Sequence, residues 1–132
     1  MTTPDALFSV EGRVACVTGA SSGLGRRAAD VLAAAGARVV GIARRAEALD
    51  DWCGAAGRNA AGVQGDVADR AGLPGLVDRV AAAFGPPEIL IHAAGLNARQ
   101  DASDVTPEAW DATLAVNLSA PFFLSPVSYT HH

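Results

Sequence analysis

Residues 18–25, Thr-Gly-Ala-Ser-Ser-Gly-Leu-Gly, carry the clearest chemical potential in the chain. They lie between an apolar run and a segment of helical period, the context that a phosphate-binding turn requires. Gly19, Gly23 and Gly25 would let the backbone turn tightly, approach a pyrophosphate and pack the following helix closely on a sheet. Thr18, Ser21, Ser22 and Leu24 complete the same turn. Taken alone, the glycine pattern also fits a tight loop that binds nothing. A P-loop is excluded, because it needs lysine followed by serine or threonine and the chain has no lysine. The single tyrosine, Tyr129, stands close to the C-terminal end, where a catalytic acid would be unexpected. No metal site is expected.

These residues need a scaffold, and 132 residues suffice for one domain with a core. Half the residues are apolar, 18% are charged and the net charge is -4, which fits a globular chain and not a disordered one. The ten basic residues are all arginine and scattered, so no basic stripe suits nucleic acid. No apolar window reaches membrane-spanning length, and residues 1–13 lack the pattern of a signal peptide. Cys16 lies in an apolar run and Cys53 beside Trp52, so a disulfide is not expected and a reduced, cytoplasmic setting is the default reading.

Short apolar runs alternate with helical stretches, the pattern of a parallel sheet built from strand–helix–strand units. Strands are expected over 13–18, 37–43, 61–67 and 88–95. One helix follows the glycine turn, with Leu24, Ala28, Val31, Leu32 and Ala35 on one face and Gly36 as its stop. A weaker helix covers 46–58. The clearest helix places Leu73, Leu76, Val77, Val80 and Phe84 at 3.6 spacing and closes at Gly85. Residues 96–105 read as a loop or short helix. Thr106 then serves as N-cap with Pro107 at the first position, opening a helix with Trp110, Leu114, Asn117 and Leu118 along one side.

Four motifs in order now acquire a common meaning. The glycine turn, Gly-Asp-Val at 65–67, His-Ala-Ala-Gly at 92–95 and the stretch WDATLAVNLSAPFFLS at 110–125 resemble the short-chain dehydrogenases/reductases over residues 9–125. The resemblance implies an α/β fold: a three-layer, Rossmann-type, doubly wound parallel sheet of strand order 3-2-1-4, truncated after the fourth strand and the helix that follows it. It implies a nicotinamide cofactor held by the glycine turn, by Asp66 and Val67 at the adenine, and by Ala93 and Gly95. His92 and Ala93 depart from the family's paired asparagines, so both of those side chains are lost. His92 could replace one hydrogen bond through an imidazole nitrogen, in a structural and not a catalytic role.

The end of the second strand distinguishes the two nicotinamide cofactors. An acid there would bind ribose hydroxyls and repel a 2′-phosphate, whereas arginine pairs with that phosphate. The chain has Ala43, Arg44 and Arg45 and no acid until Glu47, which points to NADP(H) in preference to NAD, with Arg44 the favoured partner. The alternative is that both arginines only solvate the start of a helix.

By the same resemblance Asn117 is a catalytic-site residue. Pro121 has no N–H for the carbonyl four residues back, which is that of Asn117, so a kink and a freed carbonyl are expected there. The family also uses a serine and a tyrosine–lysine pair four residues apart. The lysine partner of Tyr129 would be residue 133, and Ser125 and Ser128 have no clear claim to the serine's role.

The expectation is therefore the N-terminal part of an oxidoreductase, inactive by itself and poorly soluble through its open sheet edge. Residues 1–12 form an extension, 13–125 the NADP-binding half-domain, and 126–132 a non-native tail such as a cloning scar. The full-length protein would be a homo-oligomer acting on a small alcohol or carbonyl compound, without nucleic-acid or membrane partners. A non-catalytic NADP(H)-binding module is the leading alternative. A methyltransferase sheet shares the glycine turn but calls for an acid where Arg44 stands.

Overall fold

The structure is a computed structural model and describes residues 2–129, without the side chain of Tyr129. After a short helix α1 (Pro4–Leu7), strands and helices alternate: β1 (Val14–Thr18), α2 (Gly23–Ala34), β2 (Arg38–Ala43), α3 (Ala46–Ala56), β3 (Ala60–Gln64), α4 (Leu73–Phe84) and β4 (Ile89–His92). Helix α5 (Pro107–Leu114) leads through a π-helical segment, Ala115–Ser119, into α6 (Ala120–Tyr129). All strand pairs are parallel, in the order β3-β2-β1-β4, as expected.

Strand β1 is buried along its whole length because helices cover both faces of the sheet. On one face α2 and α3 enclose Ala15, Val17, Val39 and Trp52. On the other, α4 and α6 enclose Cys16, Val40, Ile42, Leu76, Val80 and Leu124. The period read in α4 matches its burial: Leu73, Leu76, Val77 and Val80 face the core, with Phe84 half-buried.

The face expected for α2 is different in the structure. Leu24 is 87% exposed and Val31 50% exposed, while Gly25 and Ala29 form the buried stripe. Small residues let this helix lie close to the strands it follows, and that closeness displaces larger side chains to its flanks. A helix does end before Gly36, whose φ of 89° is left-handed.

Trp110 and Leu118, expected along one side of the helix that follows Thr106, are 60% and 63% exposed, whereas Ala120, Leu124 and Ser128 of α6 are buried. At Pro121, where a kink and a freed Asn117 carbonyl were expected, the chain stays helical and passes through a widened turn. Ala120 donates its N–H to the Ala115 carbonyl five residues back, and helical geometry then continues past Pro121 and Pro126. Such π turns concentrate at functional sites. No change of secondary structure marks the expected boundary at residue 125. Residues 130–132 of the expected tail lie outside the described residues.

Candidate cofactor site

A cavity of about 620 Å³ opens at the C-terminal ends of the strands, between the glycine turn and the segment after β4. Ligands of open α/β sheets bind in this crevice, where the strand order reverses. Its walls contain Gly19, Ser21, Ser22, Gly23, Leu24 and Gly25, then Arg44 and Arg45, Asp66 and Val67, and Ala93 and Gly95. Every residue read from sequence as cofactor-binding thus borders one cavity, except Thr18. Ile42, Ala43, Gly65, Ala94, Leu96 and Val116 also line it and were not assigned to the cofactor from sequence, although Gly65 and Ala94 stand inside two of the motifs. Apolar side chains at a strand end or helix turn carry no chemical signature, although the alternation within β2 could have placed Ile42.

Thr18 acts beneath the surface. Its buried Oγ1 accepts from the Ala93 and Ala94 N–H groups, both at 3.1 Å, and so pins the segment after β4 to the end of β1. Gly19 shows why that segment sits so near: a Cβ there would lie 2.7 Å from the Ala94 nitrogen, and its φ of 69° is left-handed. A Cβ on Gly25 would overlap the Gly19 carbonyl oxygen. The glycines therefore make a bare backbone cradle at the amino end of α2. No side chain caps that end at Ser22 and no acid occupies its first turn. Free N–H groups and the positive end of the helix dipole suit a phosphate.

Arg44 and Arg45 follow β2 directly and are exposed at the cavity rim. Neither guanidinium has an ion-pair or hydrogen-bond partner among the described residues. Asp66 is oriented by the Ala68 N–H, which donates to its Oδ1 at 2.9 Å. The loop beyond is fastened to α6 by Arg70, whose guanidinium lies 4.1 Å from the Phe123 ring centroid.

Asn117 does not line the cavity. Its side-chain amide grips one residue that does: Oδ1 accepts from Leu96 N–H at 2.7 Å, and Nδ2 donates to the Leu96 carbonyl at 2.8 Å. The π segment carries Asn117, so the wide turn and this double contact belong to one feature.

His92 makes a contact that sequence reasoning did not assign to Ser125. Its Nε2 lies 2.9 Å from Ser125 Oγ, and that hydroxyl donates to the Pro121 carbonyl at 2.7 Å. With the hydroxyl proton committed to Pro121, the imidazole must donate, so His92 carries its proton on Nε2. The pair ties β4 to α6. Burial lowers the His92 pKa from the ordinary value of 6.5. The unfolded chain therefore takes up the proton first as pH falls, and stability is complete above about pH 6.5 and declines below it. Urea unfolding between pH 8 and pH 5 should show this slope, and His92→Gln should flatten it; an unchanged slope would exclude His92 as its source.

Cys16 is buried, with its thiol pKa pushed up to about 12, and Cys53 is also unpaired. Neither has the depressed pKa of a reactive thiolate. Among the described residues no group of three His, Cys, Asp or Glu could hold a metal, and no helix is long and apolar enough to cross a membrane.

The family model of the short chain dehydrogenases matches residues 13–131. A 2-dehydro-3-deoxy-D-gluconate 5-dehydrogenase of Escherichia coli is 38% identical over 126 residues, covering 94% of this chain and 49% of the relative. A 3-oxoacyl-[acyl-carrier-protein] reductase of the same species is 38% identical over 121 residues, covering 89% and 48%. A solved mutant of a Serratia marcescens short-chain dehydrogenase/reductase superposes with a TM-score of 0.87 at 28% identity, covering 93% of this chain and 52% of that one. The chain spans about half the length of the curated relatives it matches.

Proposed function

Because the chain belongs to the short-chain dehydrogenase/reductase family, we propose that it forms the cofactor-binding half of an oxidoreductase moving hydride between NADP(H) and an alcohol or carbonyl compound. The observation that carries the cofactor choice is the pair of guanidiniums at the end of β2, on the cavity rim and unpartnered among the described residues. A guanidinium fork matches a 2′-phosphate, whereas a carboxylate there would repel it. The bare glycine cradle fits a pyrophosphate at the amino end of α2. When bound, the nicotinamide supplies the hydride donor or acceptor.

The chain's own residues hold and orient. Backbone N–H groups of the glycine turn take the diphosphate, Asp66 and Val67 border the adenine end, and Thr18 and Asn117 fix the segment 93–96 that forms the opposite wall. In this reading the proton of the reaction moves through a tyrosine–lysine pair of the whole protein, since a chain without lysine cannot lower a tyrosine pKa in that way. The 132-residue chain then binds cofactor without turnover. Homo-oligomerisation and a cytoplasmic setting belong to the same proposal; the outward stripe of Trp110, Leu118 and Phe122 supports a covered face on α5 and α6. A non-catalytic NADP(H)-binding module would use the same cavity, and turnover by the whole protein separates the two.

Fluorescence titration tests the cofactor choice. NADPH should bind the chain about 10- to 100-fold more tightly than NADH, and Arg44→Ala should bring the two within a few-fold of each other. Equal or tighter binding of NADH by the unmodified chain would overturn the NADP reading.

A further inference from the structure

The backbone that carries Arg44 is held from the neighbouring strand. Gln64, the last residue of β3, pairs in register with Ala43. Its side-chain Nε2 donates to the Arg44 carbonyl at 3.0 Å. One residue on, the Gly65 N–H donates to the Ala43 carbonyl at 3.0 Å. Two successive carbonyls at the exit of β2 are thus fixed by β3, the second by a side chain alone. Gln64 is itself held, because Arg79 Nη1 of α4 donates to the Gln64 carbonyl at 2.8 Å. Arg45 then begins α3 as its N-cap, its carbonyl accepting from the Leu49 N–H at 3.3 Å, so the Gln64 amide holds the last peptide before the helix.

We propose that Gln64 is a positioning residue for cofactor specificity: by holding the Arg44 carbonyl it aims the Arg44 guanidinium at the 2′-phosphate end of the cavity. This rests on the NADP(H) reading above. Arginine gains its advantage over a diffuse positive charge only when its planar fork meets phosphate oxygens in register, and that register depends on the direction in which the backbone launches the side chain. Gln64 is on a different strand, presents an uncharged amide and acts on a main-chain atom, so its effect passes through Arg44 and not through the ligand.

Calorimetric binding of adenosine 2′,5′-bisphosphate and of 5′-AMP to the full 132-residue chain separates the possibilities. The two ligands differ only in the 2′-phosphate. Gln64→Met keeps length and removes the donor; it should weaken the bisphosphate about fivefold and leave 5′-AMP within about twofold. In the Arg44→Ala background the same substitution should change neither ligand by more than about twofold, because coupled residues are non-additive. Equal losses for both ligands, no loss, or an undiminished loss without Arg44 would each overturn the inference. A wild-type chain that does not distinguish the ligands would instead overturn the NADP(H) reading, and the inference with it. If Q64M does not fold, proton exchange of the Gln64 side-chain amide in the wild type decides: it should slow on adding the bisphosphate and not 5′-AMP, and identical exchange with both would overturn the role.

Discussion

Gly25→Ala should abolish measurable cofactor binding, with a loss of at least about 100-fold in NADPH affinity, and should destabilise the chain by about 1–3 kcal/mol. The added methyl would overlap the Gly19 carbonyl oxygen, with the Gly19 carbonyl carbon at 2.7 Å and Ala93 Cβ at 3.1 Å. Backbone, unlike a flexible side chain, cannot step aside cheaply, so α2 must withdraw from β1 and the cradle opens. Helix propensity alone would favour alanine there by about 1 kcal/mol, which the overlap outweighs. Gly75→Ala provides the control: it lies in α4 with nothing within 4 Å of the added methyl, and should stabilise by about 0.5–1 kcal/mol. Fluorescence titration and urea unfolding of both variants check the contrast. A Gly25 variant that binds NADPH normally would mean that α2 need not approach the turn so closely.

Trp52→Ala should be the most damaging substitution in the core, at about 3–5 kcal/mol, set against a whole-domain stability of about 5–15 kcal/mol. Trp52 is fully buried and its ring fills the space over Gly41, where an added Cβ would lie 2.8 Å from Trp52 Cζ3. Its Nε1 also donates to Asp30 Oδ1 at 3.0 Å, joining α3 to α2. Trp52→Phe retains most of the volume and loses that bond, so it separates packing from hydrogen bonding at about 1 kcal/mol for the latter. Circular dichroism during urea unfolding gives both values. Near-wild-type stability of the alanine variant would show that α3 contributes little to holding the sheet.

Much of this architecture was legible because local chemistry and global fold agree. The glycine turn, the period of α4 and the Thr106–Pro107 start each depend on neighbours in sequence, and each stands where it was expected; Thr106 Oγ1 accepts from the Ala109 N–H at 3.1 Å. Strand order followed from the family resemblance, since no periodicity specifies which strand lies beside which. What escaped depends on contacts between distant residues. Leu24 has an apolar side chain at a helical repeat, yet it is turned outward because the neighbouring Gly25 must be innermost. Ser125 is unremarkable by type, and only the fold brings it to His92, 33 positions away. Gln64 likewise reads as one polar position inside the strand expected over 61–67, and only the fold places its amide on the Arg44 carbonyl. Pro121 signalled a disturbance four residues back, but whether a helix breaks, bends or widens depends on the packing that carries it onward.

The grip of Asn117 on Leu96 also bears on how the chain is held once it has left the sheet. A carboxamide offers the same C=O and N–H as a peptide unit, and Asn117 presents both to the two main-chain groups of one residue. It thereby imitates a single rung of an adjoining strand. Leu96 lies four residues beyond β4, so this borrowed rung holds the segment that leaves the sheet. A polar side chain on a widened turn thus does for one residue at the lip of the cavity what a neighbouring strand does inside a sheet.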